Sequence, residues 1–163
     1  MEFILKPLSE EHRRPVVDIF NYYVENSFAA YPEAPLPCEF FDRYLNAASR
    51  YPAFVAEAPD GRIAGFGLLR PHHLLPTFAH TAELTYFILP EFTRCGLGTR
   101  LLDRLIEDAR PLGITILLAS ISSLNPASLA FHLKHGFIEC GRFPGIGRKN
   151  GHLFDVVWMQ RTI

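Results

Sequence analysis

Apolar residues in this 163-residue chain recur with two periods, and the switches between them mark out the elements. Residues 3–6 (FILK) read as a short strand, and residues 10–25 read as a helix with Val16, Val17, Ile19, Phe20 and Tyr23 on its apolar side. The stretch SFAAYPEAPLP that follows keeps neither period and is rich in Ala and Pro, so it is expected to be an irregular loop of the kind that lines sites. A second helix is expected to begin near Cys38 and to carry Phe40, Phe41, Tyr44 and Leu45. The segment AFVAEAPDGRIAGFGLLR reads as two strands joined across Asp60-Gly61, a pair suited to the positive φ angles of a tight hairpin turn. Residues 80–89 (HTAELTYFIL) form the next strand.

From Leu97 to Arg110 the period lengthens again. Leu101, Leu102, Leu105, Ile106 and Ala109 fall on one helical face and Arg100, Asp103, Arg104, Glu107 and Asp108 on the other, with Pro111 as the stop. The run ITILLASI is apolar enough for a central strand covered on both faces. NPASLAFHLKHGF reads as a short helix closed by Gly136, and residues 138–144 and 153–160 as two last strands around a Gly-rich connection. This order belongs to a mixed α/β sheet in a single domain, with parallel pairing expected only around the helix of residues 97–110.

Composition narrows the function. A chain that is 48% hydrophobic and 20% charged suits one globular domain, and a formal net charge of −1 provides no positive excess for nucleic acid or an anionic membrane. No apolar stretch approaches the roughly 20 residues of a membrane span, and MEFILKPLSEEHRR lacks the pattern of a secretory signal, so the expected location is cytoplasmic. Cys38, Cys95 and Cys140 are odd in number and lack metal-ligand spacing, and so read as free thiols. His72 and His73 are adjacent in a strand-like segment, point apart and have no evident third ligand, so no metal is assigned.

Gly96 and Gly98 stand at the first turn of the helix of residues 97–110, after the end of a strand. Backbone N–H groups there lack intrahelical partners and the macrodipole is positive, which makes the turn an anion site. Glycines before a helix are also common as plain loop residues, and this segment by itself leaves both readings open.

Three segments in order, HTAELTYFILPEFTRCGLGTRLL, SISSLNPASLAFHLKHGF and GIGRKNGHLFDVVWMQ, resemble the GNAT superfamily of acetyl-CoA-dependent N-acetyltransferases, and within it the phosphinothricin acetyltransferase-like group. The resemblance covers nearly the whole chain. It implies a mostly antiparallel central sheet flanked by helices, acetyl-CoA as co-substrate, a small-molecule amine as acceptor and a homodimer. The family's pyrophosphate loop normally opens with Arg or Gln; here Thr93 takes that place and Arg94 follows one position later. The resemblance implies cofactor contacts from Phe87, Ile88, Leu89, Arg94, Cys95, Gly96, Leu97, Gly98 and Thr99, with Asn125, Ser128 and Lys134 along the pantetheine and nucleotide.

Acetyl transfer to an amine needs a proton acceptor, because even an α-amino group with a pKa near 8 is only about one-tenth free base at pH 7. Glu83 is the one carboxylate in the strand of residues 80–89 and matches the family's base; paired with an arginine on a solvated face, it would be structural. His132 falls where many members carry a tyrosine that protonates the leaving thiolate, and the resemblance implies that acid role for it. Asn125 followed by Pro126 is also complete as a helix N-cap and first-turn proline. Arg70 at a strand end has the fork for an acceptor carboxylate or phosphinate, with Phe28, Tyr31 and His80 as candidate pocket walls. Packing explains the aromatics equally well. The alternative to an enzyme is a CoA-binding sensor or interaction module without turnover.

Overall fold

A computed structural model describes residues 2–163. Strand β1 (Ile4–Pro7) leads through a 3-10 turn into helix α1 (Arg13–Asn26), and an irregular segment leads to α2 (Phe41–Ala48). The hairpin β2 (Ala53–Glu57) and β3 (Ile63–Pro71) precedes β4 (Thr81–Ile88), α3 (Leu97–Ala109) and β5 (Ile116–Ser122). Helix α4 (Pro126–Lys134) and the long hairpin β6 (Ile138–Lys149) and β7 (His152–Thr162) complete the chain. The sheet order is β1-β2-β3-β4-β5-β7-β6. Every neighbouring pair is antiparallel except β4 and β5, which are parallel and joined through α3.

Side-chain alternation sends successive strand residues to opposite faces of the sheet, and each face has its own helices. On one face α3 buries Leu101, Leu102, Leu105 and Ile106 against Phe54, Ala56, Leu69, Ala82, Leu117, Ala119 and Val157. On the other, α1 and α2 lay Val16, Val17, Phe20, Phe41 and Tyr44 on Val55, Phe66 and Leu68. Removing each of these large side chains from water contributes about 1.5–3 kcal/mol, which makes the two-faced apolar pattern of the strands the main source of the sandwich.

Two turns depart from expectation in instructive ways. At Asp60-Gly61 only the glycine takes positive φ (+83°), and the Asp60 carboxylate accepts the Arg62 N–H at 3.1 Å, so this is not a two-residue mirror-image turn. That turn type occurs instead between β6 and β7, where Asn150 (φ 49°) and Gly151 (φ 79°) both have positive φ and Lys149 pairs directly with His152. The Gly-rich connection expected after residue 144 is therefore strand, running to Lys149 with register breaks at Glu139/Gly141 and Phe143/Gly147. No described helix is long and apolar enough to cross a membrane.

The feature that positions the site is a wedge. β4 and β5 pair only through Thr81–Ile116, Ala82–Leu117 and Glu83–Leu118. Beyond Glu83, β4 keeps its β3 partners to Ile88 while β5 continues beside β7, so the two parallel strands part and their facing backbone groups no longer bond each other; at the far end the Ile88 carbonyl accepts the Tyr23 hydroxyl.

Candidate active site

The wedge opens into a cleft of about 680 Å³ whose walls are β4 from Glu83 to Ile88, β5 from Ala119 to Ser122, the loop after α1 and the N-terminal half of α4. Both sheet faces contribute, because the gap passes through the sheet. Arg70, Glu83 and Ser120 belong to the α1/α2 side, whereas Tyr86 and His132 belong to the α3/α4 side.

On the α1/α2 side, cross-strand register sets Arg70 opposite Glu83. The Arg70 Nη2 is 2.5 Å from Glu83 Oε2, and the His72 Nδ1 is 2.9 Å from Glu83 Oε1, so both carboxylate oxygens are engaged. The Glu83 side chain is only 12% exposed. Arg70 lines the cleft, is half exposed, and uses one end of its guanidinium in this ion pair, which leaves further N–H groups for another partner. Strand alternation explains the cluster: His72 lies two residues beyond Arg70 and comes to the same face, where its ring edges against Trp158 and Phe78. A sequence reading that weighed His72 only as a metal ligand missed this role; its spacing from Arg70 was the available signal.

Phe28 and Tyr31 both line the cleft as expected. Tyr31 stacks on Phe154 and its hydroxyl lies 3.3 Å from Ser120 Oγ, which ties the loop after α1 to β5. His80 requires a correction. It is exposed at the start of β4, outside the cleft lining, where its carbonyl accepts from Thr115 and Ile116; the strands are still paired there and the wedge has not opened.

On the α3/α4 side, His132 is 3% exposed and burial lowers its pKa to about 4. Its Nδ1 is 2.7 Å from the Ser128 carbonyl, which can only accept, so the proton of the neutral ring is on Nδ1. The Nε2 is then an acceptor and takes the Tyr86 hydroxyl at 2.6 Å. The acid role expected of His132 is corrected accordingly: at neutral pH that nitrogen has no proton to give, and the hydroxyl beside it belongs to Tyr86. Burial pushes the Tyr86 hydroxyl well above the ordinary tyrosine range, which keeps it a donor. Tyr86 was not singled out in the sequence, where it reads as an ordinary strand aromatic.

The turn before α3 is a backbone device. Arg94 (φ 60°) and Gly96 (φ 85°) both adopt left-handed conformations, and Gly96 is the N-cap. A Cβ on Gly96 would meet nothing within 4 Å, so glycine is needed there for its φ and not for space. Gly98 serves a different purpose: a Cβ would come within 3.2 Å of the Phe131 ring, so its absence lets α3 settle on α4. Leu97 is buried in the core and Leu89 packs against it, so of these expected contacts Leu97 offers its main chain. The Thr99 hydroxyl is committed to His135 Nε2 at 2.9 Å, since His135 Nδ1 donates to the Phe131 carbonyl at 2.8 Å. Arg94, Cys95 and Gly96 are exposed, and the Cys95 thiol donates to the Phe92 carbonyl at 2.8 Å. Asn125 caps α4 by accepting the Ser128 N–H at 3.2 Å, which leaves its amide NH2 for a ligand in the cleft. Lys134 is exposed at the far end of α4, and Phe87 and Ile88 line the cleft.

Comparison with known proteins agrees with this geometry. Residues 16–137 match the acetyltransferase (GNAT) family. The chain is 31% identical over 150 residues to the L-methionine sulfoximine/L-methionine sulfone acetyltransferase of Pseudomonas paraeruginosa, covering 91% of this chain and 87% of the relative. Among solved structures, the phosphinothricin acetyltransferase of Sinorhizobium meliloti in complex with AcCoA superposes with a TM-score of 0.93 at 27% identity, over all of this chain and 89% of that one. The ribosomal-protein-alanine N-acetyltransferase of Brucella melitensis gives 0.90 at 31% identity, covering 98% and 99%. With its split parallel pair, its glycine-initiated α3 and a match across most of its length, the chain belongs to the acetyltransferase (GNAT) family.

Proposed function

We propose that the protein transfers acetyl from acetyl-CoA to the primary amine of a small amino acid or amino-acid analogue of the phosphinothricin or methionine sulfoximine kind, by direct attack in a ternary complex. The observation that carries this reading is the wedge itself: one cleft joins a carboxylate with its arginine on one sheet face to Tyr86, the Asn125-capped start of α4 and Thr93, just before the turn into α3, on the other. The residues present suit acetyl-CoA. The N–H groups of Leu97, Gly98 and Thr99 precede the first intrahelical bond, from Arg100 to Gly96, and are aimed for a diphosphate. The unpaired edge of β4 beyond Glu83 can take the amides of a pantetheine arm. Bound there, acetyl-CoA supplies the activated acyl group.

Glu83 then takes the proton that the acceptor ammonium must lose, directly or through water, while Arg70 keeps its free N–H groups for the acceptor's carboxylate or phosphinate. Tyr86 lies on the opposite face, and to serve the departing sulfur its hydroxyl turns its one proton from Nε2 of neutral His132 to the thiolate. Phe28, Tyr31 and the Arg70 pair enclose the acceptor, and Arg94, Cys95, Gly96, Asn125 and Ser128 border the CoA path.

A CoA-thiol release assay over a panel of amines tests the reading. Turnover is expected with a carboxylate-bearing small amine. Acetyl-CoA binding without turnover on any amine would instead make the protein a CoA-binding module, and turnover confined to alanine-terminated peptides would move the acceptor to protein N-termini. The same reading puts the enzyme in the cytosol, supported by three free thiols, and pairs it as a homodimer. The support for pairing is the edge strand β6 and its turn to β7, which expose Ile138, Phe143, Ile146 and Leu153. Light scattering in solution checks it.

A further inference from the structure

The segment GRKNGHLFD, which spans the turn from β6 into β7, has no part in the chemistry above, yet it contains the most deeply buried charge among the described residues. Lys149 is 1% exposed, and its Nζ lies 2.6 Å from the Val24 carbonyl, 2.7 Å from that of Ser27 and 2.8 Å from that of Ala30. A neutral amine carries only two hydrogens, whereas three carbonyl acceptors at these distances require the ammonium. Burial lowers its proton affinity and nearby Glu33 opposes the shift. Val24 is in the last turn of α1, where carbonyls lack helical partners and the dipole favours a cation. Ser27 and Ala30 bracket Phe28, and Tyr31 follows: these are the aromatics of the acceptor wall.

The rest of the hairpin presses on the same loop. The Asn150 N–H donates to Glu33 Oε1 at 2.8 Å, Phe28 edges against His152 and lies beside Phe154, and Tyr31 stacks on Phe154. Gly147 makes room for that ring, since a Cβ there would fall 2.2 Å from Phe154. We propose that Lys149 is a positioning residue for acceptor selection: its ammonium gathers the carbonyls of Val24, Ser27 and Ala30 and so sets where Phe28 and Tyr31 stand in the cleft. This rests on the acetyltransferase reading for its kinetic consequence and not for its structural one. Lys149 touches neither co-substrate. It acts on the acceptor wall through the backbone of residues 24–30 and leaves the turn before α3 alone.

Lys149→Met and Lys149→Arg test the proposal, each first checked for folding by circular dichroism. With whichever amine the wild-type enzyme turns over, Lys149→Met is expected to raise the acceptor KM about 10-fold or more while the acetyl-CoA KM changes less than about 2-fold. Lys149→Arg, which keeps charge and donors, is expected to show the same split at smaller amplitude. Hydrogen exchange read by mass spectrometry should quicken in peptides covering residues 24–33 and stay unchanged in those covering α3. That second readout needs no turnover, so it stands even if no acceptor is found. Unchanged exchange in residues 24–33 of a folded variant overturns the proposal, as does an equal rise in both KM values. Failure of both variants to fold overturns it as well, because Lys149 would then support the whole domain and not the acceptor wall.

Discussion

In the proposed reading, the groups offered to ligand on the α3/α4 side of the wedge are mainly main-chain N–H groups, helix ends and one capping amide, all within two short segments. On the α1/α2 side they are side chains brought from the loop after α1, the end of β3 and β4, with the last hairpin standing behind that loop through Lys149. A backbone cradle asks little of the sequence beyond glycine where φ must be positive and a cap where a helix must start. A side-chain pocket can be rewritten residue by residue without disturbing the sheet. In the proposed reading the CoA side rests on backbone geometry, and acceptor selectivity is set by the side chains of the other side.

Mutations on the two sides should therefore separate cleanly. The largest effect is expected from Glu83→Gln, which removes the proton acceptor: turnover near neutral pH should fall roughly 10²- to 10⁴-fold with acetyl-CoA binding retained. Near-normal turnover from pH 6 to 9 would remove Glu83 from the chemistry and leave the Arg70 pair purely structural. Arg70→Ala comes next, with an acceptor KM raised roughly 10- to 100-fold, the scale of a lost hydrogen bond to a charged group, and an unchanged acetyl-CoA KM. Because Arg70 also holds Glu83 Oε2, kcat should fall together with the rise in KM. An unaltered acceptor KM excludes it from the pocket.

Tyr86→Phe probes the far side of the gap. It should lower kcat by about 10-fold with both KM values near wild type, since one transition-state hydrogen bond is worth on the order of 1–2 kcal/mol. A wild-type kcat would leave the Tyr86–His132 pair a packing feature. Gly96→Ala reverses the pattern: a side chain at φ 85° costs about 1–2 kcal/mol, so the acetyl-CoA dissociation constant should rise about 5- to 30-fold and the acceptor KM stay put. That rise requires the free turn to relax and acetyl-CoA to restore the angle; calorimetry that finds equal affinity would show that the turn keeps its strained angle without ligand, the cost then appearing as lost stability.

His132 supplies the smallest signal in turnover and a measurable one in stability. With a folded pKa of about 4 against 6.5 unfolded, its ring should not titrate between pH 5.5 and 8 in NMR spectra. The unfolded chain binds a proton below pH 6.5 that the folded chain refuses, so the His132 contribution is fully present above pH 6.5. It is lost as the pH falls towards 4, by about 3 kcal/mol in all. Denaturant unfolding across that window, compared with His132→Asn, measures the difference.

The contrast between the two sides also explains what could be read from the chain beforehand. Gly96, Asn125 and Pro126 act within a few residues of themselves, so their spacing already carried their meaning, whereas Gly98 makes room for Phe131 of α4, a contact no local spacing shows; the cleft borders of Phe28, Tyr31 and Arg70 followed from loop and strand-end positions. His80 sounded like a neighbour of Glu83 because only two residues separate them, but the wedge opens only after Glu83 and leaves His80 at its closed end. His132 was legible as a position and not as a protonation state, which depends on burial and on the Ser128 carbonyl.

By itself the sequence determined the two-period apolar pattern, and with it the strands, the helices and a sheet covered on both faces, because burial of alternate residues is a local property of the pattern. It also determined the glycine turn before α3. Only the tertiary structure decided where β4 and β5 part, that His72 and Arg70 share the Glu83 carboxylate, and that Lys149 reaches back more than a hundred residues to three carbonyls. Those are contacts between segments far apart in the chain, and the geometry that creates them is set by sheet register and helix packing, which no short window of residues encodes.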